Sequence, residues 1–440
     1  MIDEIKLVEE SPMAKTRSRA EMTEAEWKAV TKFDSTDWGW VIMSIGMAIG
    51  AGIVFLPVQI GLVGLWVFLL SSVIAYPALF LLQKLFINTL AESPKGGDYP
   101  SVISNYLGKN WGFLLGLLYF LMIVVGLFSY SLAITNDSAS FLHSFGVTET
   151  VLSTNPFYGL ALICILVALA SRGEKLLFKI SSGMVLVKLG VVVVLGVVMI
   201  QHWDFANIGA FPDLGYLVKQ TIIMMPFTVF SILFVQSLSP MVISYRSHNK
   251  SIEVARFKAH RAMKIAFWVL FFSVFFYAVS FNLSMSHEQA VMAAEQNISA
   301  LAMAAQGNDG NWLKILSFVL NIFAVMTAFF GIFLGFKESS QGIVINILTR
   351  FMPEERINKK VLSNGIIVFA ILLAWGVVAL NLPILLLFKY SGAIIALVAC
   401  IIPVYLVCKV PFLAKYRKPS LILITFIGVL LILSPILSSW

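Results

Sequence analysis

Charge is scarce in this chain. Asp, Glu, Lys and Arg make up 12% of its 440 residues against 59% hydrophobic ones, and the mean hydropathy is +0.90. A soluble fold of this length could not cover so much apolar surface, which leaves a polytopic membrane protein. Cysteine is scarcer still: Cys164, Cys400 and Cys408 show no CxxC or Cys/His spacing, so neither a disulfide framework nor a metal site is indicated, and no cofactor is expected. The five histidines, His143, His202, His248, His260 and His287, all fall in expected loops, and neither HExxH nor GxSxG occurs. An enzyme working at membrane depth would need such a constellation, so the chain is not read as one. Residues 1–37 are polar and lack an apolar run followed by a small-residue cleavage site, so the first span is expected to do the targeting.

What is present is a succession of apolar runs, at about 40–60, 65–87, 111–136, 157–170, 179–200, 218–247, 262–284, 312–336, 364–381, 384–407 and 420–438. Each is near the ~20 residues needed to cross a bilayer, so the expected fold is all-α with 11 transmembrane helices. Of the 31 lysines and arginines, 27 lie in alternate inter-span segments. The opposite loops hold Lys219 alone, and Lys188, Lys314 and Lys389 fall within spans. Short cytoplasmic loops retain positive residues, so the N-terminus is expected in the cytoplasm and the C-terminus outside. The net charge of +8 is thus topological, and no nucleic-acid partner is implied.

Within the first span, Gly46-Met47-Ala48-Ile49-Gly50-Ala51-Gly52-Ile53-Val54-Phe55-Leu56-Pro57 carries three glycines in seven positions, and Pro57 follows where the helix should still be climbing through lipid. Each glycine costs a helix interior about 0.5–1 kcal/mol relative to alanine. An unwound backbone survives in hydrocarbon only where it is buried in protein or lines a cavity, so the stretch reads as a broken helix around a substrate site. The bare N–H groups near Ala51-Gly52-Ile53 can hold an anion and the last carbonyls near Met47-Ala48 a cation, the two ends of an amino-acid zwitterion. Close helix packing through small residues is the competing account.

A second break is expected in span 6 at Phe234-Val235-Gln236-Ser237-Leu238-Ser239-Pro240, where Pro240 removes a backbone donor and Gln236 and the serines offer replacements. Spans 1 and 6 cross in opposite directions, as an inverted five-plus-five repeat around a midplane site requires. The expected organisation is a cytoplasmic tail over 1–37 and a transporter domain over 38–440. Its repeats occupy about 38–200 and 218–407, with an additional helix at about 420–438. Lys188 lies near the centre of span 5, where a charged lysine costs at least ~2.5–3.5 kcal/mol and no Asp, Glu, Arg or His lies at similar depth. An amine that can gain and lose a proton there is a candidate for ion coupling. Span 3 carries Ser129-Tyr130-Ser131 midway and Thr135-Asn136-Asp137 at its outer end, and span 8 carries Asn321 and Thr327. Thr23 and Glu26 have capping-box spacing for a short interfacial helix. His287 to Gln306 reads as an amphipathic helix over the outer vestibule, its Asn297-Ile298-Ser299 sequon as chance.

Gly50-Ala51-Gly52-Ile53 closing on Leu56-Pro57 resembles the unwound first helix of the amino acid–polyamine–organocation superfamily. Ala48-Ile49-Gly50-Ala51-Gly52, Ala133-Ile134-Thr135-Asn136, Ser239-Pro240, Glu295-Gln296-Asn297-Ile298-Ser299, Phe330-Gly331 with Leu334-Gly335, and Lys409-Val410-Pro411 with Lys415-Tyr416 resemble the bacterial hydroxy and aromatic amino acid permeases. The likeness runs from about residue 34 to the C-terminus and is greatest to the serine-transporter branch of enteric bacteria, which handles D- and L-serine. It implies import of a small amino acid across the inner membrane, usually with protons. On this chain it implies that Ala48 through Ile53 hold the substrate backbone, that Gln236, Ser237 and Ser239 face it from span 6, and that Tyr130 and Ser131 are weaker candidates. One departure stands out. The serine and threonine members resemble one another in a lysine ahead of the aromatic–glycine run of span 8, where this chain has Thr327. Lys188 in span 5 is similar instead to the lysine of sodium-independent members of the superfamily, at the meeting of spans 1, 5 and 8.

The expected function is therefore secondary active import of serine with protons, by alternating access around a midplane site. Cysteine or threonine as substrate, sodium coupling, and a channel or transporter-like receptor are the alternatives. Gln236, Ser237, Ser239 and Thr327 suit a substrate hydroxyl or thiol, and the remaining partner is the lipid bilayer.

Overall fold

A computed structural model describes residues 19–93, 99–171, 174–248, 251–307, 310–349, 351, 353 and 356–438. Residues 1–18 of the expected tail, and 172–173 of the short basic loop after span 4, lie outside the described residues. Every regular element among the described residues is helical. A short α1 (Glu24–Val30) precedes α2 (Ser35–Ala48), α3 (Ala51–Val63), α4 (Leu65–Ala91), α5 (Tyr99–Leu107), α6 (Lys109–Ser144), α7 (Pro156–Ala170) and α8 (Glu174–Val198). Then come α9 (Leu214–Ile232), α10 (Val235–His248), α11 (Ile252–Ser284), α12 (His287–Glu295), α13 (Ala300–Gln306) and α14 (Gly310–Leu348). The chain ends with α15 (Lys359–Leu380), α16 (Ile384–Ile395), α17 (Ile402–Lys409) and α18 (Ser420–Ser438), with a π-helical turn over Ala396–Ile401 joining α16 to α17. Among the described residues, nine helical segments are long and apolar enough to cross a membrane, or ten if the bent pair α2 and α3 is one span. The protein is a multi-pass membrane protein. The remaining apolar run is α7, which at 15 residues is shorter than the ~20 a perpendicular crossing needs.

Both breaks sit ahead of the prolines that signalled them. The α2 helix ends at Ala48 with Ile49 as its cap, Gly50 is extended, and α3 leaves at 44° to α2, while Pro57 stays inside α3. In span 6, α9 ends at Leu233 in extended backbone and α10 restarts at Val235, with Pro240 inside it. A proline forbids the hydrogen bond to the carbonyl four residues back but does not forbid helix on either side. Each proline thus lies a turn or two beyond the break and leaves a further carbonyl open there.

The outer segment is not one amphipathic helix but two, α12 and α13, joined through Asn297, whose backbone is left-handed at φ 58°. Its buried side-chain amide donates to Asn381 Oδ1 at 3.1 Å and Leu382 O at 2.7 Å and accepts from Ile384 N at 2.8 Å. The sequon asparagine is therefore a structural tie between the outer helices and the turn before α16.

At the opposite end, α1 carries the capping box that its sequence predicts, Thr23 with Glu26. Asp34 caps α2, and the fully buried Asp37 in its first turn accepts from Tyr245 Oη at 2.7 Å and Arg261 Nη2 at 3.1 Å. Lys258 Nζ lies 2.5 Å from Asp34 and 3.4 Å from Asp37. Two acidic residues near the N-terminal end of α2 are also favoured by the helix dipole. This cluster ties the inner half of span 1 to α10 and α11. Asp37→Ala would remove the buried acceptor that Tyr245, Lys258 and Arg261 share, so a loss of about 2–3 kcal/mol is expected in thermal unfolding of the detergent-purified protein. The hydrogen bond from the Lys258 ammonium holds the Asp34 carboxyl below its ordinary value. That contribution is complete above the unfolded-state value of about 3.9 and is lost as pH falls through the lower folded one. Lys258→Met should flatten this acid limb of the stability profile.

Candidate functional site

The break in span 1 is closed by a cation from span 5. Lys188, only 1% exposed on α8, donates to Gly46 O at 3.1 Å, Ile49 O at 2.9 Å and Thr327 Oγ1 at 3.0 Å. The Thr327 hydroxyl in turn lies 2.7 Å from Phe323 O, to which it donates, so it presents a lone pair to the amine. Three acceptors therefore converge on one nitrogen. An ammonium can donate to all three with its three hydrogens, and a neutral amine can donate to the two carbonyls while accepting from the Thr327 hydroxyl. No salt bridge to Lys188 is present among the described residues. The charge is balanced by the C-terminal dipole of α2, where carbonyls lack helical partners. Lys188 of α8 and Thr327 of α14 thus lie side by side at the end of α2.

The three glycines serve close approach. A Cβ on Gly46 would stand 2.3 Å from Val185 Cγ2, one on Gly50 2.9 Å from Tyr130 Oη, and one on Gly52 3.1 Å from Phe230 O. Packing and backbone opening, posed by the sequence as competing accounts, thus hold together: α8, α6 and α9 each press on the break at a different glycine. Tyr130 is thereby placed against Gly50. Ser131 is turned away, its buried hydroxyl donating to Leu127 O of its own helix at 2.6 Å.

Of the remaining expected residues, Ala48, Ile49 and Ile53 are buried around the break. Ala48 O accepts from Gly50 N at 3.0 Å and Gly50 O from Ile53 N at 3.1 Å, so the cation-binding end is partly taken by the chain itself and by Lys188. The N–H groups of Ala51 and Gly52, in the first turn of α3, have no helical carbonyl ahead of them. Ser237 Oγ, fully buried, donates to Phe234 O at 2.8 Å and pairs with Ser44 Oγ at 2.9 Å, a cross-link between α10 and α2. Ser239 Oγ has no hydrogen-bond partner among the described residues, and Gln236 is exposed at the start of α10.

Two contributors went unread in the sequence. Ser44 looked like one more small residue of span 1. Asp137 looked like the outer end of span 3, but α6 continues to Ser144 and leaves it fully buried, accepting from Ser299 N at 2.8 Å and Asn321 Nδ2 at 2.6 Å. The signal available was the Asn136-Asp137 pair beside a run of small residues that could keep the helix going.

The fold and the site define the class as a helical membrane protein with a broken span whose freed carbonyls are held by a buried lysine. The model of the amino acid permease family matches residues 37–440, and the chain belongs to that family. It is a transporter rather than an enzyme. Among curated relatives it is 66% identical over 423 residues, 96% of each chain, to a serine transporter of Escherichia coli O157:H7. It is 29% identical over 390 residues to the serine transporter SdaC of Escherichia coli K12, covering 87% of this chain and 89% of that one.

Gly46 tests the packing of this site. Gly46→Ala drives a methyl into Val185, and a loss of about 1–3 kcal/mol is expected in thermal unfolding. Adding Val185→Ala removes the offending methyl groups and should restore part of that loss.

Proposed function

We propose that the protein is a secondary active importer of serine, D or L, coupled to protons, working by alternating access around the break between α2 and α3. The observation that carries the coupling is the Lys188 ammonium on Gly46 O, Ile49 O and Thr327 Oγ1. While protonated, the amine holds the end of α2 to α8 and α14. On losing its proton it no longer carries the charge that the carbonyl end of α2 favours, which frees the inner half-helix to shift and the substrate to leave. One proton moving down 100 mV supplies about 2.3 kcal/mol, enough for roughly fifty-fold accumulation of a neutral zwitterion. A lysine already seated on the carbonyls favours proton over sodium coupling, because a metal ion would have to displace it.

The substrate carboxylate is assigned to the N–H groups at Ala51 and Gly52, with Ile53 N held by Gly50 O, and its ammonium to the carbonyl end near Met47 and Ala48. Gln236, Ser237, Ser239, Tyr130 and Thr327 supply the side-chain wall. Serine as the substrate is carried over from the named activity of the relatives. The eleven-span reading counts α2 with α3 as one broken span and α7 as a short one met by local thinning of the bilayer, in an inverted five-plus-five repeat with α18 outside it. The basic residues favour an inner-membrane location with the N-terminus cytoplasmic and the C-terminus periplasmic.

The test is uptake of labelled L-serine into proteoliposomes holding the purified protein, with an inward proton gradient and no sodium. Accumulation should collapse with a protonophore, and Lys188→Ala should abolish it while leaving serine binding measurable. Wild-type accumulation in that variant would remove Lys188 from the coupling, and a requirement for sodium would replace the proton. A site that hydrogen-bonds the side chain discriminates sharply against its absence. Excess unlabelled alanine should therefore compete at least ten-fold less well than serine, with cysteine and threonine setting the width of the pocket.

A further inference from the structure

The positive residues that escape the cytoplasmic segments are few, and two of them meet. Lys219 in the second turn of α9 and Lys389 in the second turn of α16 line one cavity of about 280 Å³, together with Gln59 and Gln220. Ile223, one turn beyond Lys219, and Leu385, one turn before Lys389, form the apolar part of its wall. The cavity lies between α3, α9, α16 and the end of α18, about two helical turns outward of Gly52 along α3. No salt bridge or hydrogen bond of either lysine is present among the described residues. Gln59 is only 3% exposed and lines the cavity, and no hydrogen bond of its amide is present among the described residues. The recess thus presents two ammonium groups and an amide as open hydrogen-bond donors. An oxyanion entering it would pair with the ammonium groups and accept from the Gln59 amide.

We propose that this outer recess binds an oxyanion, a carboxylate or phosphate group, between Lys219 and Lys389 with Gln59 as the orienting donor. The same chemistry is offered by a free solute at the outer mouth of the transporter and by the headgroup of an anionic phospholipid. A recess for a free oxyanion would concentrate carboxylate-bearing solutes two turns above the central break. One for a headgroup would clamp lipid against α18 and the outer half-helices.

The experiment is thermal unfolding of the full-length protein in neutral detergent, read by tryptophan fluorescence. Sodium phosphate and sodium acetate are compared with sodium chloride at matched ionic strength and sodium, and phosphatidylglycerol with phosphatidylcholine. Acetate has no amino group, so this readout does not depend on the proposed zwitterion site or on transport. A rise in midpoint of about 2 °C or more that disappears in Lys219→Gln/Lys389→Gln supports the site. A rise with acetate or phosphate assigns a free oxyanion, and a rise with phosphatidylglycerol alone assigns a lipid headgroup. Lys389→Arg keeps the charge and should keep the rise. If the double variant does not fold, Lys219→Gln alone carries the comparison, with a reduced rise expected. No rise with any of the three probes, or a rise of equal size in the charge-removed variants, overturns the proposal.

Discussion

Inside a bilayer a carbonyl released from a helix has no water to turn to, and the packing around the first span follows from how its freed carbonyls are satisfied. Lys188 meets two of them with one ammonium and takes Thr327 as its third acceptor. This contact draws α2, α8 and α14 to one point, and each of those helices must come close enough for a lysine to reach. Gly46 allows it by having no side chain where Val185 passes. The break and the cation therefore depend on each other. Without the break there are no free carbonyls for the lysine, and without the lysine the break leaves acceptors unpaired in an apolar surround.

The two ends of the molecule are held differently. At the end where the chain enters span 1, charged pairs join Asp34 and the buried Asp37 to Lys258 and Arg261. At the outer end the ties are neutral or singly charged and buried: Asp137 with Ser299 and Asn321, and Asn297 with Asn381 and Leu382. Hydrogen bonds of the second kind persist only while the surrounding helices stay packed. The span 1 break lies between these two clasps.

Much of this was legible in the linear order of residues. The spans could be read from hydropathy, because a helix must hide its own backbone in lipid and so needs a long apolar run. The breaks could be read from glycine and proline out of place, and Lys188 from its isolation among apolar neighbours. The details that escaped share a cause. Pro57 and Pro240 mark the neighbourhood of a break but not its residue, since a proline removes one hydrogen bond without dictating where the helix ends. Asp137 was placed at a helix end because apolar character fades there, but α6 runs on under the cover of α13 and α14. Ser131 and Ser237 look alike in sequence, yet one bonds to its own helix and the other also to Ser44 across the bundle.

The sequence by itself determined that this chain is helical, lives in a membrane, breaks its first and sixth spans and buries a lysine in its fifth. Those properties depend on residues near one another in the chain and on the insolubility of bare backbone in hydrocarbon. The tertiary structure decided what the lysine touches, which hydroxyls face the break and which cations share the outer recess. Lys188 finds its acceptors 142 and 139 positions before it and 139 after, and no local pattern encodes a contact of that range. It is set by how whole helices pack, and there a shift of one turn would hand each partner to a different residue.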